Sequence, residues 1–460
     1  MNPPRAVSSL PCSPLVMNLP PSASRPGEIP RRGFLRTSGL LTGATALGAL
    51  PLSRGVHAAA PEVIRIGLIG CGGRGTAAAR NAMNAGPDVR LVALADLFDE
   101  RLQECLTEVR AARPAQVDVP PARCFTGFDA YREVLASGVD AVLVAPTSHF
   151  IPAIFEAAVA AGKHVFCEKP HGIDIPGLKR SMAAAETAKR RGLSVVSGLC
   201  WRYDTGVLET MARIHEGAIG EIVAIQETYV GRPYIVRERR PGQGEMEWQL
   251  WNWYHFNWLS GDQTAQQLVH SLDKASWALG DRPPLKAWGL GGRQTCLGPE
   301  SGDQFDHQAV VFEYPEGVRV FGFTRDQPDC WNNTSDYIIG TKGRCDLLNF
   351  RIQGETNWRY EKSRENMYDL EHRALFNAIR RGEPINNGHY MCLSSALGIM
   401  AQMACYSGSV VTYEDAMQSE RSFALPRYGW DVDPPVKPGL DGRYPTAMQG
   451  GAEYEKWRMP

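Results

Sequence analysis

Residues 63–75 of the chain read VIRIGLIGCGGRG. The first seven residues of this stretch are almost entirely apolar, which is typical of a buried strand. The next six have the pattern G-x-G-x-x-G, and the alanine-rich segment 76–85 that follows predicts a helix. A glycine loop between a strand and a helix is far more informative than the glycines alone. The stretch therefore predicts the first strand–turn–helix unit of a doubly wound sheet.

The glycines of this loop have separate physical roles. Gly70 permits a tight turn, Gly72 lets the backbone approach a pyrophosphate, and Gly75 lets the helix pack closely on the strand. Free N–H groups at the helix N-terminus then face the phosphates. Gly73 and Arg74 complete the loop. We therefore predict that this loop holds a dinucleotide.

An acidic residue stands where such a cofactor needs one. The apolar segment 91–95 predicts a second strand, and it ends in Asp96, 21 residues past Gly75. A carboxylate at this distance binds the 2′-hydroxyl of the adenosine ribose. Leu97 follows, with no arginine for a 2′-phosphate, so the sequence favours NAD over NADP. The alternative is that Asp96 only caps the next helix.

The pattern along the chain predicts two kinds of sheet. Apolar strands and helices alternate up to about residue 200, which predicts an α/β Rossmann domain with a parallel, doubly wound sheet. The strands are predicted at 141–145, 164–167 and 194–198, and the helices at 151–161 and 175–190. Beyond Glu221 the pattern predicts an α+β domain with an open, largely antiparallel sheet. Its strands are predicted at 222–229, 309–314, 318–324 and 337–340, and its helices at 263–279, 369–381 and 394–407.

Four segments follow from this reading. Residues 1–60 form a leader, 61–200 the dinucleotide-binding domain, 201–430 a substrate and oligomerisation domain, and 431–460 a C-terminal tail. The leader contains Arg31 and Arg32 directly before Phe34-Leu35, then a short apolar run. This layout resembles a twin-arginine (Tat) export signal, although an ordinary basic helix start is the alternative. We expect a periplasmic or secreted protein that starts at Met1 or Met17.

Composition argues against several classes of partner. The formal net charge is −1 and no basic stripe is present, which argues against nucleic acid. Beyond the leader, no apolar run reaches the length of about 18 residues that a membrane span needs. Eleven cysteines are scattered without a C-x-x-C pair, and no closely spaced histidines occur, so we expect no metal.

Further motifs add a resemblance to a known family. Glu168-Lys169-Pro170 directly follows the strand predicted at 164–167, and an H-x-x-D pair stands at His270 and Asp273. With the glycine loop and the aromatic segment 251–262, the chain resembles the glucose–fructose oxidoreductase / inositol dehydrogenase (Gfo/Idh/MocA) family over roughly residues 61–430, and its Tat-exported branch in particular. The resemblance implies that Lys169 lies beside the nicotinamide and the substrate. A plain surface ion pair is the alternative for Glu168 and Lys169.

The H-x-x-D segment departs from the family at one position. Gln266, His270 and Asp273 are spaced to share one face of a helix. The family commonly has a carboxylate where this chain has Gln266. Without that charge the imidazolium of His270 is less favoured, unless Asp273 supplies it. We predict His270 as proton shuttle or hydroxyl ligand beside Lys169, with Gln266 and Asp273 binding substrate; a buried structural histidine is the alternative.

Other candidate residues follow from strand ends and aromatic content. Trp253 and Tyr254 are predicted to stack on sugar rings, since aromatic faces suit the C–H faces of a pyranose; a core or subunit interface is the alternative. Arg202 follows the last Rossmann strand and resembles a family residue that contacts cofactor or substrate. Ligands of doubly wound sheets bind beyond the carboxyl ends of the strands. The cofactor-binding residues predicted there, after the strands at 141–145 and 164–167, are Pro146, Thr147, His149, Glu168 and Lys169.

Together these features predict an exported oxidoreductase. It transfers hydride between a tightly bound nicotinamide cofactor, NAD in preference to NADP, and a hydroxyl of a sugar, cyclitol or glycoside. The first alternative is an NAD-dependent glycosidase that works by oxidation, elimination, hydration and reduction. The second is a non-catalytic protein that binds nucleotide or sugar. The resemblance also implies a homo-oligomer.

Overall fold

The computed structural model describes residues 63–449. The predicted leader and its arginine pair at 31–32 lie outside the described residues. The predicted boundaries at residues 60, 200 and 430 stay predictions.

The first sheet is parallel and doubly wound, as predicted. Its strands lie in the order β3-β2-β1-β4-β5-β6, and every neighbouring pair is parallel. The strands are β1 Ile64–Ile69, β2 Val89–Asp96, β3 Cys124–Thr126, β4 Ala141–Val144, β5 His164–Cys167 and β6 Val195–Ser197. The helices of this part are α1 Gly73–Asn84, α2 Asp99–Ala112, α3 Ala130–Ala136, α4 Ile151–Ala160, α5 Ile175–Arg190 and α6 Thr205–His215. The order reverses between β1 and β4, and ligands of such sheets bind at that point, beyond the carboxyl ends of the strands.

The second sheet has nine strands and is antiparallel except where β7 pairs with β10. Its order is β14-β13-β12-β11-β7-β10-β9-β8-β15. The strands are β7 Ile222–Gly231, β8 Lys286–Gly292, β9 His307–Glu313, β10 Arg319–Asp326, β11 Asn333–Gly340, β12 Gly343–Asp346, β13 Arg351–Gly354, β14 Trp358–Arg359 and β15 Val411–Thr412. The helices are α7 Glu245–Trp251, α8 Asn257–Ser260, α9 Val269–Ala278, α10 Met367–Arg381, α11 Gly388–Ser407 and α12 Tyr413–Gln418, with a π-helix at Thr264–Leu268.

Two helices of the second half position side chains for the site. The helix predicted at 263–279 begins as the π-helical turn and continues as α9, so its first residues do not follow α-helical spacing. Helix α10 packs back on α1, where Asn81 Nδ2 donates to Asp369 at 2.7 Å. Within the described residues, no helix is both long and apolar enough to cross a membrane.

Candidate active site

A cavity of about 460 Å³ lies at the carboxyl ends of β1, β2, β4 and β5. Its walls on the Rossmann side include ten of the eleven predicted cofactor-binding residues: Gly70, Gly72, Gly73, Arg74, Gly75, Asp96, Pro146, Thr147, Glu168 and Lys169. The second half closes the cavity with the predicted Trp253, Tyr254, Gln266 and His270. The cavity therefore joins the glycine loop to the predicted catalytic pair.

The glycine loop has room for a pyrophosphate. A Cβ atom added at Gly72 or Gly73 would meet no atom within 4 Å, whereas one at Gly75 would lie 1.8 Å from the carbonyl oxygen of Gly70. Helix α1 begins at Gly73, so its free N–H groups face this space. Asp96 lines the cavity and also accepts hydrogen bonds from the backbone N–H of Cys71 and of Phe98, at 2.6 and 2.9 Å. The loop and Asp96 thus fit a dinucleotide.

Lys169 lines the cavity and is partly buried, and its peptide bond with Pro170 is cis. Its Nζ donates a hydrogen bond to the backbone oxygen of Gln266. Burial lowers the pKa of Lys169 below its ordinary value, while the neighbouring charge of Glu168 opposes this shift. Glu168 itself accepts from Arg74 Nε at 2.6 Å. A lysine held in this way exchanges a proton more readily than a solvated one.

His270 lies beside Lys169 and is neutral. Burial lowers its pKa well below the ordinary value, and the positive charges of Lys169, Lys274 and Arg74 lower it further. Its Nδ1 has no hydrogen-bond partner among residues 63–449. A neutral imidazole with a free nitrogen can bind a substrate hydroxyl.

Three predicted residues lie outside the cavity. Arg202 and Asp273 form a buried ion pair, with Nη2 and Oδ1 2.8 Å apart, and Arg202 also binds Asp281 at 2.7 Å. The structure therefore does not bring them to the predicted substrate position, and Asp273 supplies no charge to His270. His149 binds the backbone oxygen of Trp258 and the hydroxyl of Tyr428, at 2.8 and 2.6 Å, and holds the C-terminal segment on the Rossmann half.

Gln266 lines the cavity, but its amide is engaged by the protein. Its Nε2 donates to Ser148 Oγ at 2.9 Å and to the backbone oxygen of Ser260. The next residue, Gln267, also lines the cavity, and within the described part of the chain its buried Oε1 has no partner. Sequence reasoning missed Gln267 because α-helical spacing does not hold in the π-helical turn. The free amide oxygen makes Gln267 a better candidate than Gln266 for binding a hydroxyl.

Further wall residues came from outside the predicted motifs. They are Phe98, Arg101, Phe128, Tyr229, Tyr234, Arg237 and Tyr368. Arg101 follows Asp96 by five residues, so a wider search around Asp96 could have found it. The others reach the cavity only through tertiary packing, and nothing in the local sequence marks them. Among residues 63–449, no group of three or more His, Cys, Asp or Glu side chains is placed to hold a metal ion.

The fold and the cavity define a dinucleotide-binding protein with a second domain over its ligand site. Residues 64–197 match the model of the Gfo/Idh/MocA group, described as "Oxidoreductase family, NAD-binding Rossmann fold". These residues, less than a third of the chain, are similar to that family, in agreement with the resemblance seen in the sequence motifs.

Individual relatives agree with this assignment. The chain is 29% identical to inositol 2-dehydrogenase of Acidiphilium cryptum over 56% of this chain and 66% of that protein. It is 24% identical to a glycosyl hydrolase family 109 protein of Shewanella amazonensis over 68% of this chain and 65% of that protein. The chain therefore spans slightly less than two thirds of the length of each.

Solved structures share the fold at low identity. An aldose-aldose oxidoreductase of Caulobacter crescentus gives a TM-score of 0.61 at 17% identity, covering 76% of this chain and 99% of that one. Apo scyllo-inositol dehydrogenase of Lactobacillus casei gives 0.58 at 18% identity, covering 77% and 99%. These likenesses confirm the predicted two-part architecture.

Proposed function

We propose that the chain is an oxidoreductase that transfers hydride between a bound nicotinamide dinucleotide and a hydroxyl-bearing carbon of a sugar, cyclitol or glycoside. The observation that carries the proposal is Lys169, which is partly buried, has a pKa lowered by that burial and lies in the same cavity as the glycine loop and His270. Two of the relatives named above are an inositol dehydrogenase and an aldose oxidoreductase. The sequence preference for NAD, from Asp96 and Leu97, remains a prediction.

The chemistry follows from the side chains. A bound nicotinamide would accept the hydride from the carbinol carbon. The hydroxyl proton must leave at the same time, and Lys169 in its neutral form accepts it. His270, which also lines the cavity, binds the same oxygen through an imidazole nitrogen and keeps it oriented. Arg74 holds Glu168, which fixes the turn that carries Lys169.

The substrate end of the cavity suits a neutral polyol. Its walls combine aromatic rings with uncharged hydrogen-bonding groups, which are Tyr229, Trp253, Tyr254 and Gln267. Aromatic faces pack on C–H surfaces while amides and phenols bind hydroxyls. This composition supports a carbohydrate or cyclitol as substrate.

We further propose that the cofactor is retained and that the protein is exported by the Tat route. The C-terminal segment packs on the adenosine end of the cavity, where Trp430 contacts the cavity residues Phe98 and Phe128 with ring centroids 5.7 and 5.0 Å apart. Packing of this kind favours slow dissociation of the cofactor, which suits a compartment without free dinucleotide. The export proposal rests on Arg31 and Arg32.

The open face of the second sheet supports a homo-oligomer. By the strand register, five large apolar side chains share this face and are 38–54% exposed: Trp288, Leu290, Phe323, Tyr337 and Ile339. An apolar patch of this kind marks an interaction surface. We propose that a second copy of the chain covers it.

A glycosidase is the second candidate, and one comparison favours it. The glycosyl hydrolase family 109 relative aligns with 68% of this chain, more than the inositol dehydrogenase relative does. In this reaction, hydride removal acidifies the adjacent C–H. The aglycone then leaves, water adds, and the hydride returns, so the cofactor shows no net change.

Product analysis tests both functions. The purified protein is incubated with cyclitols, aldoses and p-nitrophenyl glycosides. An oxidised carbohydrate, matched by reduced cofactor or by a reduced second sugar, supports the oxidoreductase. Release of p-nitrophenol without net reduction supports the glycosidase. If none of these compounds gives either product, the catalytic proposal is wrong.

A further inference from the structure

An arginine cluster lies at the adenosine end of the cavity, next to Asp96. Arg101 and Arg237 both line the cavity there, and Arg240 lies just outside it. All three guanidinium groups lie over the indole of Trp251, at 4.3, 4.6 and 3.9 Å from its ring centroid. Arg101 and Arg237 thus place two positive charges beside the predicted ribose site, whereas the charge of Arg240 outside the cavity is paired with Glu100.

The two arginines inside the cavity differ from their neighbours because they form no ion pair among the described residues. Arg240 pairs with Glu100 at 2.6 Å, and Arg239 pairs with Glu245 at 2.9 Å. Within residues 63–449, neither Arg101 nor Arg237 forms an ion pair. Arg101 donates only to the backbone oxygen of Trp251, at 3.0 Å, and its buried Nε has no partner among the described residues.

The charges around Arg101 and Arg237 favour binding of an anion. Burial and the charge of Arg237 lower the pKa of Arg101 to about 10, and the charge of Asp96 only partly opposes this. Both oxygens of Asp96 already accept backbone N–H groups, and burial raises its pKa. Asp96 therefore leaves much of the positive charge uncompensated.

We infer that the adenosine end is built to bind the 2′-phosphate of NADP, with Arg101 and Arg237 as its ligands, and that NADP binds at least as tightly as NAD. Arginine is suited to this role because its planar donors match phosphate oxygens. The inference rests on the proposed function for the dinucleotide cavity itself. It revises the sequence preference for NAD, which considered only the residue after Asp96.

The test compares ligands with and without the 2′-phosphate on the full chain freed of nucleotide. Isothermal titration with NAD, NADP, 5′-AMP and 2′,5′-ADP gives the contribution of that phosphate without any substitution. The expected result is an equal or lower dissociation constant for NADP and a clear preference for 2′,5′-ADP over 5′-AMP. The NADP constant also rises more steeply with salt than the NAD constant, because the additional phosphate charge is screened.

Substitutions identify the residues. Arg101→Ala and Arg237→Ala should each weaken NADP binding about tenfold or more, since each removes hydrogen bonds to a charged group, and should leave NAD binding nearly unchanged. Arg240→Ala is the matched control, because Arg240 contacts the same indole but is paired with Glu100 outside the cavity. Thermal melts of all three variants confirm that they fold.

Two outcomes would overturn the inference in distinguishable ways. If NAD binds at least tenfold more tightly than NADP, and neither arginine variant changes that ratio, the 2′-phosphate site is wrong while the dinucleotide cavity stands. If neither dinucleotide binds, the proposed function fails with it.

Discussion

The glycine loop and the aromatic segment, together with residues 248–250 before it, contribute to the walls of one cavity. They differ in what determines which of their residues reach the cavity. In the loop, each residue's position follows from a local strand–turn–helix geometry, and five of the six loop residues, all except Cys71, line the cavity. In the aromatic segment, Trp253 and Tyr254 line the cavity while Trp248 and Trp258 are buried in an apolar cluster. Local backbone geometry determines which residues of the glycine loop reach the cavity, whereas tertiary packing determines this for the aromatic segment.

Two glycines of the loop, Gly72 and Gly75, provide the most severe test of the local wall. Gly75→Ala places a Cβ 1.8 Å from a backbone oxygen, so we expect the loop not to form and stability to fall by more than about 4 kcal/mol. Gly72→Ala meets no atom, and its φ of −67° suits alanine, so stability should change by less than about 1 kcal/mol. Dinucleotide affinity should nevertheless fall about tenfold or more, because the Cβ occupies the pyrophosphate's approach. Urea unfolding and NAD titration measure both effects; equal behaviour of the two variants would contradict the loop's assignment.

Lys169→Ala tests the catalytic role at the junction of the two walls. Turnover should fall by about 10² to 10⁴, the range for loss of a general acid–base group, while nucleotide affinity changes little. Lys179→Ala, on the exposed side of α5, is the matched control and should retain full activity. Steady-state kinetics with a substrate identified by product analysis give the result. Undiminished turnover in Lys169→Ala would favour the non-catalytic alternative.

The exposed sheet face differs from both walls, because the partner proposed for it is a second copy of the chain. Ile339→Lys should raise the dissociation constant of the oligomer about tenfold or more, since it replaces a large apolar contact with a charge. Leu208→Lys changes an equally exposed apolar residue on α6 and should have no such effect. Size-exclusion chromatography with light scattering compares them. A wild-type monomer at all concentrations would refute the proposed interface.

The last prediction concerns His372, a residue away from the cavity that packs α10 against the Rossmann sheet through Phe166. It is fully buried, and burial lowers its pKa to about 3. The unfolded chain therefore takes up a proton below about pH 6.5 that the folded chain does not, and stability falls as pH falls. Relative to His372→Phe, the wild type should lose about 1.4 kcal/mol per pH unit between pH 6 and pH 4. Urea unfolding at several pH values checks this; parallel curves would show that His372 is protonated in the folded state.

These contrasts show how far sequence reasoning reaches. The Rossmann strands could be predicted because their apolar runs alternate with helices. The glycine loop, Asp96 and Lys169 could then be placed because each follows the carboxyl end of one of these strands. Gln267 could not, since a π-helical turn changes which side chains face the cavity. Arg101 and Arg237 are separated by more than a hundred residues, and only the folded chain brings them to one indole. Asp273 was misplaced because helical spacing predicts a shared face but not which partner lies opposite.

The most direct test of the account is mass spectrometry of the nucleotide released when the purified protein, made without added cofactor, is denatured. If the cavity binds a nicotinamide dinucleotide and retains it as proposed, this dinucleotide is released in stoichiometric amount. Absence of any released nucleotide, together with no binding of added NAD or NADP, would contradict it.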